Sequence, residues 1–210
     1  MHTKNVYLYV FDTMSDWEYG YLIAELNSGR YFKKNLPPLK VLTVGATKNV
    51  ITTMGGLKIK PAITLDECSL ERNDLIILPG GNTWGEIIHQ PILKKVDEAL
   101  KLGTNVAAIC GAIEGLANNG HLDFRKHTSN NLAYLKTVCP NYKGEKFHAV
   151  ETVVTDVNLV TASGIAPLEF AREVLKILDV FSSETLESWY DLNHTQQTDY
   201  FFQLMNSLDR

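Results

Sequence analysis

The chain of 210 residues has no uninterrupted apolar run approaching 18 residues, so nothing in it reads as a membrane span. Its opening stretch, MHTKNVYLYVFDTMSDWE, carries a single lysine, and Asp12 and Asp16 interrupt the apolar run. That is not the layout of a secretory signal peptide, and a cytoplasmic location is expected. Positive charge is not in excess: 20 Lys and Arg face 24 Asp and Glu, a formal net charge of -4, with no basic block or stripe. This weighs against nucleic-acid binding. Cysteine is scarce. Cys68, Cys110 and Cys139 are odd in number, widely spaced and without a CxxC pair, which favours free thiols over a disulfide framework or a zinc knuckle. The chain also lacks HExxH, GxGxxG and a phosphate-loop lysine, so no cofactor and no metal is expected. There is no internal repeat or low-complexity linker, and one domain over residues 1–210 accounts for the chain, with 182–210 as a helical extension.

What is present is alternation. Short apolar runs at 5–11, 40–46, 74–81 and 105–110 read as buried strands, with a hairpin around Gly55 and Gly56 and a strand pair within 151–163. Between them, 17–28, 91–103, 113–120, 130–139 and 167–180 read as helices, Pro91 standing in a favourable first turn and Gly103 as a stop. The tail 183–208 predicts one or two more. Such alternation implies an α/β fold with a mostly parallel central sheet covered on both sides.

In a parallel sheet, ligand sites gather beyond the carboxyl ends of the strands. The stretches LPGG (78–81) and AAICGAIEGLA (107–117) both lie at such ends. Cys110, at a strand-to-helix junction, then has two readings: an inert core thiol, or a nucleophile on a sharp turn with its pKa lowered by the helix that follows. The strict G-x-C-x-G elbow is absent, because Ala108 and Ala112 flank the cysteine. Gly111, with Gly80 or Gly81 from the neighbouring strand end, is placed to offer N–H groups to an oxyanion. Asn82 and Trp84 follow as pocket candidates. Glu114 reads as a helix-surface carboxylate or as a group touching the site.

Five stretches, FDTMSDWE, LIILPGGNTW, AAICGAIEGLA, KHTSNN and NLVTASGIAPLEFA, occur in an order and at separations that resemble the ThiJ/PfpI superfamily, over about residues 4 to 180. The resemblance implies a flavodoxin-like three-layer sandwich related to the class I glutamine amidotransferase domain. It implies that Cys110 is the reactive cysteine, that Glu18 is the acid near its sulfur, and that His127 approaches across the crevice, with Glu151 or Asp156 as candidate orienting acids. His121 is a weaker candidate base; His2, His89, His148 and His194 have less positional support. A homodimer is also implied. Two departures stand out. PfpI-type peptidases place a histidine immediately after the cysteine, where this chain has Gly111; many relatives carry an arginine in the loop that here has Ser163. The functional expectation is a cysteine-dependent hydrolase or lyase acting on a small carbonyl or amide compound, glyoxalase-like or deglycase-like. The alternatives are a redox-responsive stress or regulatory protein with an oxidisable cysteine, and a non-catalytic protein that binds a small molecule.

Overall fold

The computed structural model describes residues 5–208. Nine strands and seven helices follow in the order β1 (Asn5–Tyr9), α1 (Gly20–Ser28), β2 (Lys40–Gly45), β3 (Ile51–Thr52), β4 (Lys58–Ile59), β5 (Ile63–Thr64), β6 (Leu75–Leu78), α2 (Gln90–Leu102), β7 (Asn105–Ile109), α3 (Ala112–Asn118), α4 (Leu132–Val138), β8 (Val153–Asp156), β9 (Leu159–Ala162), α5 (Pro167–Ile177), α6 (Ser183–Thr195) and α7 (Asp199–Leu208). Seven strands form one sheet in the order β5-β2-β1-β6-β7-β9-β8. All neighbours are parallel except β8, which returns antiparallel to β9. β3 and β4 form the expected hairpin.

The central strands are buried on both faces, which is why they read as continuous apolar runs rather than alternating ones. LIIL of β6 is buried at every position, as are Val106 to Ile109 of β7. α1 and α5 pack together on one face, with α6 against α5 and α7 against α6; α2 and α3 pack beside β7. This is the flavodoxin-like α/β sandwich with C-terminal helices. Helix ends follow local chemistry: Gly29 and Gly103 close α1 and α2 in the left-handed conformation, where glycine carries no Cβ penalty.

The tail is bound to the body through Trp189, 1% exposed. Its Nε1 donates to Glu25 Oε1 on α1 at 3.1 Å, and Arg30 engages the same carboxylate.

The chain runs from β1 outward to β2 and β5, then crosses back to β6 on the other side of β1. Loops after β1 and β6 therefore diverge at a topological switch point, where open α/β sheets form their crevices. The hairpin is tied over the first of these loops: Thr52 N–H donates to Asp12 at 2.7 Å and Gly55 N–H to Asp16 at 2.5 Å.

Candidate active site

Cys110 sits at the turn between β7 and α3 with φ of 59°. A non-glycine residue in the left-handed region is strained, of order 1–3 kcal/mol, and is held only when its surroundings over-determine it. Here its N–H donates to Ala162 O at 2.9 Å, continuing the β7–β9 ladder one residue beyond the strand. The thiol thus projects beyond the sheet on a sharp elbow despite the absence of G-x-C-x-G.

Glycines make the approach to it possible. A Cβ on Gly80 would lie 2.8 Å from Cys110 Cβ and from both Glu18 oxygens, and a Cβ on Gly164 would lie 2.6 Å from Cys110 Sγ. Any side chain at either position would occupy the space where the acid, the sulfur and the β9–α5 loop converge.

Glu18 is 1% exposed. The helix expected from residue 17 begins at Gly20, so Glu18 lies in a bend that turns inward rather than on a solvated first turn. Its Oε2 accepts the Gly80 N–H at 2.5 Å, whereas Oε1 is buried without a hydrogen-bond partner. Burial raises its pKa, against the opposing pull of the Gly80 N–H and the nearby Cys110 and Ser15. The Cys110 thiol is also pushed up, by burial first; the Asn130 amide works the other way, the Glu18 charge adds to the rise, and the Gly111 N–H lowers it. A net lowering is expected from the helix that follows; the direction is upward instead, because burial outweighs the Asn130 amide and the Gly111 N–H at the start of that helix.

The side chain beside the sulfur is Asn130. Its Nδ2 donates to Cys110 Sγ at 3.3 Å, while its Oδ1 accepts from Gly164 N at 2.8 Å and Ser163 Oγ at 3.2 Å. His127, expected to approach the cysteine, is 0% exposed, with Nδ1 against Arg125 O at 2.7 Å and Nε2 against Tyr142 OH at 2.6 Å. Both ring nitrogens are engaged away from the sulfur, and burial lowers its pKa. Neither Glu151 nor Asp156 orients it. Asp156 accepts the Lys126 N–H at 2.6 Å, and Glu151 is exposed. His148 holds the hydroxyl of Ser129 at 2.9 Å, next to Asn130. His89 is a core histidine, bonded to Tyr9 OH and Thr83 Oγ1 and stacked on Trp84. His121 is part-buried beside α2, and His2 lies outside the described residues.

Of the pocket glycines, Gly80 spends its N–H on Glu18 and is not a free donor. Gly81 and Gly111 approach closely: a Cβ on Gly111 would lie 2.9 Å from Gly81 O and 3.3 Å from Gly81 N. Asn82 is exposed, its N–H donating to Thr13 Oγ1 at 3.1 Å. Trp84 is buried, with Nε1 on Pro79 O. Among the described residues, no group of three His, Cys, Asp or Glu side chains is placed to hold a metal ion, and no helix is long and apolar enough to cross a membrane.

An inward-turned acid, a cysteine on a positive-φ elbow and a glycine wedged between them coincide with a match to the DJ-1/PfpI family over residues 4–177. The chain belongs to the DJ-1/PfpI family. A protein of Bacillus subtilis strain 168 named uncharacterized protease YoaZ is 70% identical over 210 residues, covering 100% of both chains. The crystal structure of a ThiJ/PfpI family protein from Bacillus anthracis superposes with a TM-score of 0.98 at 70% identity, over 100% of this chain and 99% of that one. A DJ-1 superfamily protein of Agrobacterium tumefaciens gives 0.78 at 27% identity, over 92% and 99%.

Within this DJ-1/PfpI frame, Asn130 is the site residue that sequence reasoning missed. The signal was inside the quoted stretch KHTSNN, three residues beyond the histidine that drew attention. His127 pairs with His148 in a parallel bridge, and the chain reaches the sulfur only after that bridge ends.

Proposed function

We propose that the protein is a cysteine-dependent enzyme acting on small carbonyl compounds, a hydrolase or lyase of the glyoxalase-like or deglycase-like kind, with Cys110 as nucleophile and Glu18 as the group that moves the proton. The observation that carries this reading is the buried Glu18 carboxyl, held by Gly80 with one oxygen unpartnered and Cys110 nearby. Burial disfavours charge on either group, so the pair holds at most one negative charge, and in that state the two share one proton. Transfer of the thiol proton to Glu18 frees the sulfur to add to a carbonyl carbon. The carbonyl π bond breaks, and the resulting oxyanion meets the N–H groups of Gly81 and Gly111 before Glu18 returns the proton.

Peptide hydrolysis fits less well, although the Bacillus subtilis relative carries the name protease. An amine leaving group needs a proton donor, and an imidazole is the usual source. Here Gly111 follows the cysteine, and His127 is committed to Arg125 and Tyr142. Carbonyl addition needs only the thiol and one acid.

The test is multiple-turnover consumption of methylglyoxal by the wild type, Cys110→Ser and Glu18→Gln. Turnover lost in both variants supports the reading. Absence of turnover in the wild type, with two equivalents of peroxide converting Cys110 through a sulfenate to a sulfinate, overturns it in favour of a redox-responsive protein.

A further inference from the structure

The sheet has two edges, and they are built differently. β5 is two residues long and lies close behind Pro61, which blunts it against further pairing. β8, at the other edge, holds four residues with neither proline nor lysine among them. Ser163 N–H donates to Thr152 O at 2.9 Å, so the antiparallel alternation turns the backbone groups of Thr152, Val154 and Asp156 toward β9. Those of Val153 and Thr155 face outward, and among the described residues no strand meets them. The edge forms one wall of a cleft of about 700 Å³, whose facing wall is α5. Thr155 Oγ1 and Arg172 Nε, one on each wall, are buried without a hydrogen-bond partner. Such atoms are costly unless something further satisfies them.

α5 follows β9 and packs back over it, so it runs antiparallel to β9 and in the same direction as β8. It faces the cleft with Glu169, Arg172, Glu173 and Lys176, spaced three and four apart and therefore on one stripe. The stripe is its own complement: acid, base, acid, base in one direction meets base, acid, base, acid in the other. A second copy related by a two-fold axis through the cleft would set Glu169 opposite Lys176 and Arg172 opposite Glu173, each pair made twice. Within one chain these groups are only partly engaged. Glu169 uses Oε1 alone, on Tyr190 and His194, and Lys176 reaches Glu173 at 3.3 Å. A stripe of one sign would call for a ligand of the other sign, whereas a self-complementary one suits an isologous contact.

We propose that this face is a two-fold interface between copies of the protein, in which β8 pairs antiparallel with β8 of a second copy and the two α5 stripes meet across it. Val153 and Thr155 of one copy exchange backbone N–H···O=C bonds with Thr155 and Val153 of the other, joining the two sheets into one. Arg172 Nε donates to the Glu173 carboxylate of the second copy. The strand edge gives the contact its backbone bonds. The charge stripe sets its orientation, since a parallel arrangement would place like charges together.

The experiment is sedimentation equilibrium on the wild type, Val153→Pro, Lys176→Glu, and the double variant Glu169→Lys with Lys176→Glu. The wild type is expected to be a dimer. Val153→Pro removes an outward N–H at the first residue of an edge strand, where proline is tolerated, and should give a folded monomer, checked by circular dichroism. Lys176→Glu should weaken the dimer by about tenfold or more, and the double variant, which exchanges the two charges, should recover it to within about threefold. If Val153→Pro fails to fold, the charge series decides alone. A monomeric wild type, a dimer indifferent to Lys176→Glu, or a double variant as weak as the single one overturns the interface. So does a dimer that survives in folded Val153→Pro, because the copies then meet on another surface. None of these outcomes depends on the chemistry at Cys110.

Discussion

Asn130 Nδ2 donates to Cys110 Sγ at 3.3 Å while Oδ1 of the same amide holds Gly164 N at 2.8 Å. One neutral side chain therefore ties Cys110 to the β9–α5 loop. Its hydrogen bond lowers the thiol pKa against a net rise from burial. Asn130→Ala should raise the apparent pKa of Cys110 and slow iodoacetamide alkylation at pH 7 by about tenfold, for roughly one pKa unit of lost thiolate stabilisation. An unchanged pH profile would show that the contact carries no weight.

On the proposed function, Glu18→Gln should separate thiol reactivity from turnover. The Glu18 charge raises the thiol pKa, so its removal should increase alkylation at neutral pH while carbonyl turnover falls by about a hundredfold, the scale of general acid–base catalysis. The linkage also has a sign. The folded-state pKa of Glu18 is raised, so its favourable contribution is full below the unfolded value and is lost as pH rises through the folded one. The glutamine variant should be more stable than wild type at pH 8, measured by urea midpoints, and that advantage should shrink toward pH 4.

Gly164→Ala places a methyl group 2.6 Å from the Cys110 sulfur. Because Gly164 is part-exposed at a loop end, the sulfur should be displaced without loss of the fold. The expected result is strongly slowed alkylation with a thermal midpoint within a few degrees of wild type. Unaltered alkylation would mean that the loop moves instead.

Acid should destabilise the protein through His89. Burial lowers its pKa from 6.5 to about 4, so the unfolded chain binds a proton in that window that the fold refuses. Stability falls as pH drops from 6.5 toward 4, by about 3 kcal/mol from this group. His89→Gln should flatten the curve in part, since desolvation also lowers the pKa of His121, His127 and the half-buried His148. Urea unfolding at pH 7, 5.5 and 4 measures it.

The tail helices should unfold with the sheet. Trp189→Ala removes a side chain that is 1% exposed and its bond to Glu25, and should cost about 3–5 kcal/mol. Separate transitions in circular dichroism and fluorescence would show instead that α6 and α7 melt alone.

The strand runs and the parallel sheet were legible because a strand buried on both faces must be apolar throughout, as LIIL and NVAAI are. The elbow at Cys110 was legible for a related reason: a buried strand that ends in a polarisable residue followed by glycine, before a helix, leaves that residue at the edge of the sheet. Glu18 was named as a site residue by resemblance, while its inward bend was not visible, because WEYGYLIAEL reads as helix from its first residue.

Sequence by itself determined the layers, the strand ends and the cysteine at one of them, since local periodicity and turn chemistry act over a few residues. Tertiary structure alone decided which polar group meets the sulfur. His127 and Asn130 are three residues apart and equally polar on paper. A parallel bridge to His148 and two hydrogen bonds bury the imidazole, and the next turn of chain delivers the amide. The thiol pKa was decided in the same way: the helix terminus is a local feature, but desolvation is set by residues distant in the chain that close around the sulfur.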